Sequence, residues 1–184
     1  MAKRSGRAIR FPESKVRPMG RSAAGVRGVT LSDKIENDEV VGMISVDPTD
    51  ESVGILVLSE RGMGKRSSLE DYRQTNRGGK GVKTMNISEK TGLLIAIKAV
   101  MENDDVVISN RSGIVIRMMV KDMRVMGRAT QGVKMIRLDE NDQIADIAVI
   151  PYSESDEKTE DEAILEGENT AETDQQNSAE GEEE

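Results

Sequence analysis

Basic residues recur at four fixed positions, three times along the chain, and side chains of that kind are suited above all to neutralising phosphate oxygens. Arg10, Arg66 and Arg117 form the first set, and Arg17, Arg73 and Arg124 the second. Arg21, Arg77 and Arg128 form the third, and Arg27, Lys83 and Lys134 the fourth. The same spacing carries Gly6, Gly62 and Gly113, then Gly25, Gly81 and Gly132, and ends at Leu31, Ile87 and Leu138. Chance does not keep four basic positions and two glycines in phase three times. A guanidinium is always charged and its planar fork matches phosphate. Each phosphate neutralised on a duplex releases counterions, so regularly spaced cations bind additively. Glycine turns add backbone N–H groups that can approach an anion closely.

Other chemistries lack their side chains. The 184 residues include no cysteine and no histidine, which removes thiolate nucleophiles, imidazole bases, disulfides and Cys/His zinc sites. Asp33, Glu89 and Glu140 also recur in phase, but they fall in polar turns, where turn chemistry explains them without a metal. Phe11, Tyr72 and Tyr152 are the only aromatics. Proteins that grip single strands stack bases on aromatic platforms, so the expected nucleic-acid partner is double-stranded DNA held by its phosphates. No apolar run is long enough for a membrane span and no signal-peptide core is present, which predicts a soluble chain without a membrane partner. The absence of cysteine fits a reducing cytoplasm. The eleven methionines read as gap-filling core residues.

Charge divides the chain. Residues 152–184 hold fourteen acidic side chains against Lys158 alone, a net −13 within a total of −8, so residues 1–151 carry about +5. The acidic tail has too few apolar residues to order itself and is expected to be disordered. A basic body with an acidic appendage points to nucleic-acid binding with a built-in competitor.

Short strands must position these residues. Alternating apolar and polar residues predict half-buried strands at 26–31, 81–87 and 133–138, and turn-then-strand units at 7–11 and 114–118. More continuously apolar runs at 40–46, 93–100 and 144–150 predict inner strands, and 55–58 and 106–109 supply a fourth. No helix is expected in the body. Four strands per repeat of about fifty residues is the arithmetic of propeller blades. The expected fold is all-β: a leader at 1–4, a partial β-pinwheel of three four-stranded blades at 5–151 (about 5–58, 59–109 and 110–151), and the tail at 152–184. Nothing in residues 1–5 looks like a strand before Gly6, so the chain reads as the C-terminal part of a longer array, cut one strand into a blade.

At these residues the chain resembles the C-terminal β-pinwheel of the DNA gyrase A protein, the DNA-wrapping domain of a type IIA DNA topoisomerase, across residues 5–151. That family carries a heptapeptide, the gyrase A box, reading Gln-Arg-Arg-Gly-Gly-Lys-Gly. Thr75, Asn76, Arg77, Gly78, Gly79, Lys80 and Gly81 stand at the corresponding places, departing at the first two. In the family the box lies in the first blade. Here the match is followed by one further repeat, so it is a box-like counterpart in a later blade, for which the resemblance implies phosphate contact by Arg77 and Lys80. It implies no catalytic residue and no metal in this chain: the family's catalytic tyrosine lies in a separate N-terminal domain, and Tyr72 and Tyr152 match no such motif. It further implies a bacterial, cytoplasmic, nucleoid-associated enzyme. The remainder of gyrase A, together with gyrase B, would be the protein partners, with ATP and magnesium used elsewhere in the assembly.

The function expected is sequence-independent DNA binding, bending and wrapping in support of ATP-dependent negative supercoiling. The cations above, with Gly78 and Gly79, are expected to line one curved track. Inward-facing guanidinia at Arg10, Arg66 and Arg117 would break it. A topoisomerase IV pinwheel is the nearest alternative. A protein-docking propeller of the WD-repeat kind is a third reading, weakened because its Gly-His and Trp-Asp signatures need residues this chain lacks.

Overall fold

Three hairpins, each turning at one of the first set of repeated glycines, are the units from which the body is built. In the computed structural model, which describes residues 1–153, β1 (Ala2–Lys3) turns at Gly6 into β2 (Arg7–Ala8). β3 (Val40–Gly42) follows, and then β4 (Gly54–Ser59) turns at Gly62 into β5 (Met63–Ser68). β6 (Val82–Lys83) and β7 (Leu94–Val100) precede β8 (Asp105–Asn110), which turns at Gly113 into β9 (Val115–Met119). β10 (Val133–Lys134) and β11 (Ile144–Ile150) complete the set. The three turn glycines all have positive φ, between 73° and 91°, a conformation that other residues adopt only with strain. Single 3₁₀ turns at Glu13–Lys15, Leu69–Asp71 and Val120–Asp122 follow the hairpins at the repeat spacing and are the only helical segments among the described residues.

The blades do not coincide with the sequence repeats. The first sheet runs β3-β1-β2-β6 and the second β10-β5-β4-β7, so each takes its outer strand from the following repeat. β6 pairs antiparallel with β2 (Arg7 opposite Lys83, Ala8 opposite Val82), and β10 pairs with β5 (Met63 opposite Lys134, Gly64 opposite Val133). The third sheet, β11-β8-β9, has three strands.

Several expectations are corrected. Residues 1–4 are not a leader: Ala2 and Lys3 form β1, and both are buried. The segment 55–58, expected to end the first repeat, is the inner strand β4 of the second sheet, bonded to β5 and β7. Residues 26–31 form no strand, and 40–46 shortens to Val40–Gly42 with Met43 exposed. A strand needs a neighbour as well as a pattern, and residues 26–31 have no strand beside them in the described sheets.

β4 explains how the body stacks. Ile55 and Val57 point into one apolar cluster with Ala2, Tyr72, Leu94 and Ile97. Leu56 and Leu58, one pleat over, point into another with Val106, Ile108, Val120 and Ile144. Period-two alternation thus buries both faces of the middle sheet. Residues Met1–Ile150 constitute one compact unit, and the second unit, 151–184, is described only as far as Ser153. The acidic tail lies outside the described residues. Among the described residues, no helix is long and apolar enough to cross a membrane.

Candidate nucleic-acid interface

The repeated cations separate by phase into those that hold the blades together and those that face outward. Arg10 reaches under the next repeat, donating from Nη1 to the carbonyls of Leu69 (3.0 Å) and Tyr72 (3.2 Å) at its 3₁₀ turn. Backbone reinforces the crossing, with the Thr75 N–H donating to the Arg10 carbonyl at 2.8 Å and the Met126 N–H donating to that of Arg66 at 2.8 Å. The Arg66 side chain is 12% exposed and lies 3.9 Å from Glu102, and its buried Nε has no hydrogen-bond partner. Arg117, on the third sheet, pairs with Asp105. Arg10 therefore turns into the seam and Arg66 is largely buried, which corrects the expectation that they line an outer track.

The third phase is also a clip, with the direction reversed. Arg77 donates from Nε to the carbonyl of Lys15 (3.0 Å) and from Nη1 to that of Arg27 (3.2 Å). One repeat on, Arg128 donates in the same way to the carbonyls of Asp71 and Lys83, both at 2.8 Å. The planar fork spans two carbonyls of the preceding repeat, a geometry an ammonium would not reproduce. Arg21 stands exposed.

The clip draws cations together at each seam. Arg77 sits against Arg27, and Arg128 against Lys83, which in turn faces Arg7 across the β2–β6 pair. Arg7 donates to the carbonyls of Lys80 (3.3 Å) and Gly81 (2.6 Å). Arg17, Arg73 and Arg124 are exposed, each just beyond a 3₁₀ turn, and Arg27, Lys80, Lys83 and Lys134 are exposed as well. Every member of the second and fourth phases faces solvent, as do Arg21 and Arg117.

The box-like loop lies along the first seam. Gly78 N–H donates to the Gly28 carbonyl (2.6 Å), while Thr30 donates to the carbonyls of Gly79 (N–H, 3.0 Å) and Gly78 (Oγ1, 2.6 Å). A Cβ on Gly81 would stand 2.5 Å from the Ala8 carbonyl oxygen, and one on Gly132 the same distance from that of Gly64. These two glycines are required by strand-to-strand approach, whatever else they bind.

Two buried lysines escaped the repeat logic because they do not repeat. Lys3 donates to the Thr30 carbonyl (2.8 Å) and lies 3.5 Å from Asp38, both side chains being buried. Asp38 also accepts from the N–H groups of Ser5 and Ser32. Lys65 donates to the carbonyls of Gly127 (2.8 Å), Arg128 (2.5 Å) and Thr130 (3.0 Å), tying down the third repeat's counterpart of the box-like loop. Burial lowers its pKa to about 8, the nearby Arg128 acting in the same sense and Asp71 against it. The equivalent positions hold Ile9 and Ile116. The available signal was a lysine in the middle of an otherwise buried strand. No group of three or more Asp or Glu side chains able to hold a metal occurs among the described residues.

Comparison with known proteins agrees with this architecture. The family model described as DNA gyrase C-terminal domain, beta-propeller matches three times, over residues 4–47, 55–101 and 104–151. The A subunit of DNA gyrase from Staphylococcus aureus (strain NCTC 8325 / PS 47) is 44% identical over 156 residues, which cover 84% of this chain and 17% of that protein. Its counterpart from Chlamydia pneumoniae is 42% identical over 153 residues, 83% of this chain and 18% of that one. The chain thus spans less than a fifth of the length of these relatives. Among solved structures, a DNA gyrase A C-terminal domain superposes with a TM-score of 0.71 at 25% identity, covering 81% of this chain and 49% of that one. The C-terminal domain of a DNA topoisomerase IV gives 0.70 at 23% identity, covering 80% and 44%, a likeness of fold. With strand-exchanged sheets, a threefold family match and identity above two-fifths, the chain belongs to the DNA gyrase A C-terminal domain family of β-propellers, the β-pinwheels.

Proposed function

We propose that this chain binds duplex DNA through its phosphates, without sequence preference, and bends it as the wrapping domain of a gyrase. The observation that carries the reading is the outward recurrence of Arg17, Arg73 and Arg124 beside Arg27, Lys83 and Lys134, with Lys80 at the first seam. Each internal seam then offers a duplex a cluster of cations. Arg77 and Arg128 brace these clusters and add positive charge. The glycine loops contribute N–H groups that position DNA without reading its sequence. Bending a short site costs on the order of 1–6 kcal/mol, so several seams must act together.

In this reading the chain supplies no catalytic group. Strand passage belongs to the rest of gyrase A acting with gyrase B, and ATP and magnesium are used there, in a bacterial cytoplasm. The identity with gyrase A and the five box residues from Arg77 to Gly81 favour gyrase over topoisomerase IV.

The test is a nicked circle sealed by ligase on the full chain. A shift in linking number relative to the bare circle is expected, together with an affinity that falls roughly a thousandfold between 50 and 200 mM salt if about six phosphates are neutralised. An unchanged linking number at saturating protein would overturn bending, and salt-independent binding would overturn phosphate contact.

A further inference from the structure

Four oxygens of one exposed loop converge on a single buried ammonium. Lys65, on β5, is 2% exposed, yet its Nζ lies beneath a loop of the third repeat in which Gly127, Ala129, Thr130 and Gln131 are exposed. It donates to the carbonyls of Gly127 (2.8 Å), Arg128 (2.5 Å) and Thr130 (3.0 Å) and to Thr130 Oγ1 (3.1 Å). Ser67, two residues along the same face of β5, donates to the Met126 carbonyl at 2.8 Å. A trans peptide unit points its N–H opposite to its C=O. Carbonyls drawn in toward Lys65 therefore turn the N–H groups of Arg128, Ala129 and Gln131, which belong to the same peptide units, away from the interior. None of the three donates to an acceptor among the described residues. Successive N–H groups presented together make an anion-binding concavity, and the Arg128 guanidinium, clipped to the Lys83 carbonyl, stands at the same seam. The first seam is built otherwise. Ile9 holds the place of Lys65, and a Cβ on Gly79 would stand 3.6 Å from its side chain. There the carbonyls of Gly78 and Gly79 accept from Thr30, and the Gly78 N–H, counterpart of that of Ala129, is taken by the Gly28 carbonyl.

Resting on the reading that a duplex follows these seams, we propose that Lys65 is a positioning residue of the interface: it holds residues 127–130 so that the N–H groups of Arg128, Ala129 and Gln131, beside the Arg128 guanidinium, bind a DNA phosphate at the second seam. Lys65 is buried and touches no phosphate itself. An ammonium has three N–H groups for the four oxygens, and the neutral amine has two, so the shape of the loop depends on the proton. The pKa of about 8 lies below the ordinary 10.5 because of burial, with Arg128 in the loop acting in the same sense and Asp71 in the 3₁₀ turn against it. Beside Lys65, β4 carries no titratable side chain. The Tyr72 hydroxyl, its pKa raised by burial, stays protonated through this range, and Lys83 and Lys134 are exposed. Raising the pH through about 8 therefore loosens the loop, and by linkage a phosphate bound there favours the protonated lysine.

Titration of the isotope-labelled full chain with a short DNA duplex near neutral pH, followed by amide NMR, tests it. The amide signals of Arg128, Ala129 and Gln131 are expected to move downfield as a phosphate accepts from them. Lys65→Met keeps a long side chain and loses the charge. It should bind the duplex roughly tenfold more weakly, the equivalent of one or two net hydrogen bonds. Its log–log salt slope should match the wild type's, since neutral amides release no counterions. The ratio of the two affinities should close toward one as the pH rises from a unit below the Lys65 pKa to a unit above it. If the three amides stay in place while those beside Arg73 and Lys80 move, the positioning role is overturned and DNA binding stands. If no amide moves, the DNA reading falls and this inference with it. A salt slope lower by about 1 in Lys65→Met overturns the proposal as well, because Lys65 would then be meeting a phosphate directly. So does an affinity ratio that does not change with pH. The wild-type titration decides the matter even where the variant fails to fold.

Discussion

Arg10 and Arg73 belong to the same repeat pattern, yet one has its guanidinium under a neighbouring turn and the other stands in solvent. What separates them is backbone: carbonyls at the end of a 3₁₀ turn need donors, and an arginine one repeat earlier is placed to supply them. A hydrogen bond from a charged donor is worth roughly 1.5–3 kcal/mol, enough to hold such a side chain in place. Lys65 is the buried counterpart of this use, its ammonium shared among the carbonyls of residues 127, 128 and 130. Its pKa, about 8 in the folded chain, lies below the ordinary lysine value of 10.5. Between those values the unfolded chain keeps a proton that the folded chain has released, so this residue makes stability rise with pH across the window. Urea unfolding of the wild type and of Lys65→Ile, the residue type at both equivalent positions, should therefore show their difference moving in the wild type's favour from pH 8 to 10.5. A constant difference would contradict the assignment.

Strand exchange is the decisive feature of the elements. A two-residue strand cannot stand alone, and β6 and β10 exist because β2 and β5 accept them. Close approach requires glycine at the entry to each. Gly81→Ala places a Cβ against the Ala8 carbonyl and forces alanine into a left-handed conformation, which by itself costs roughly 1–2 kcal/mol. Gly25→Ala bears the conformational cost but meets no neighbouring atom. Thermal unfolding of dilute protein should show the Gly81 variant losing more stability than the Gly25 variant. Equal losses would mean that the seam has room for the methyl group.

For the whole molecule, separate phases for scaffold and solvent make the DNA reading divisible. Reversing Arg17, Arg73 and Arg124 together to glutamate should weaken duplex binding alike for all sequences. If each of the three meets a phosphate, the log–log salt slope should fall by about 3. Replacing Arg10 and Arg66 by glutamine should instead lower the melting temperature and leave the salt slope of the folded protein near the wild-type value. Filter binding across a salt series beside thermal melts separates the two sets. If the triple reversal leaves the slope unchanged, the outward phase is a solvated face and the phosphate contacts lie elsewhere.

Periodicity alone made the threefold repeat, the all-β class and the hairpin glycines legible, because a turn that requires positive φ leaves a glycine wherever it recurs. β11 falls where its apolar run predicts, at Ile144–Ile150. Pairing was not legible. A strand pattern records which face is buried and is silent about which neighbour buries it: β4 belongs one blade later than its position after the first repeat suggests, β1 is too short at Ala2–Lys3 to show a pattern, and residues 26–31 alternate as a strand does yet pair with none in the described sheets. The direction of each guanidinium was hidden for the same reason. Outward and seam-facing arginines are identical in the sequence, and only three-dimensional packing brings the carbonyls of Leu69 or Lys15 within reach of one and not the other.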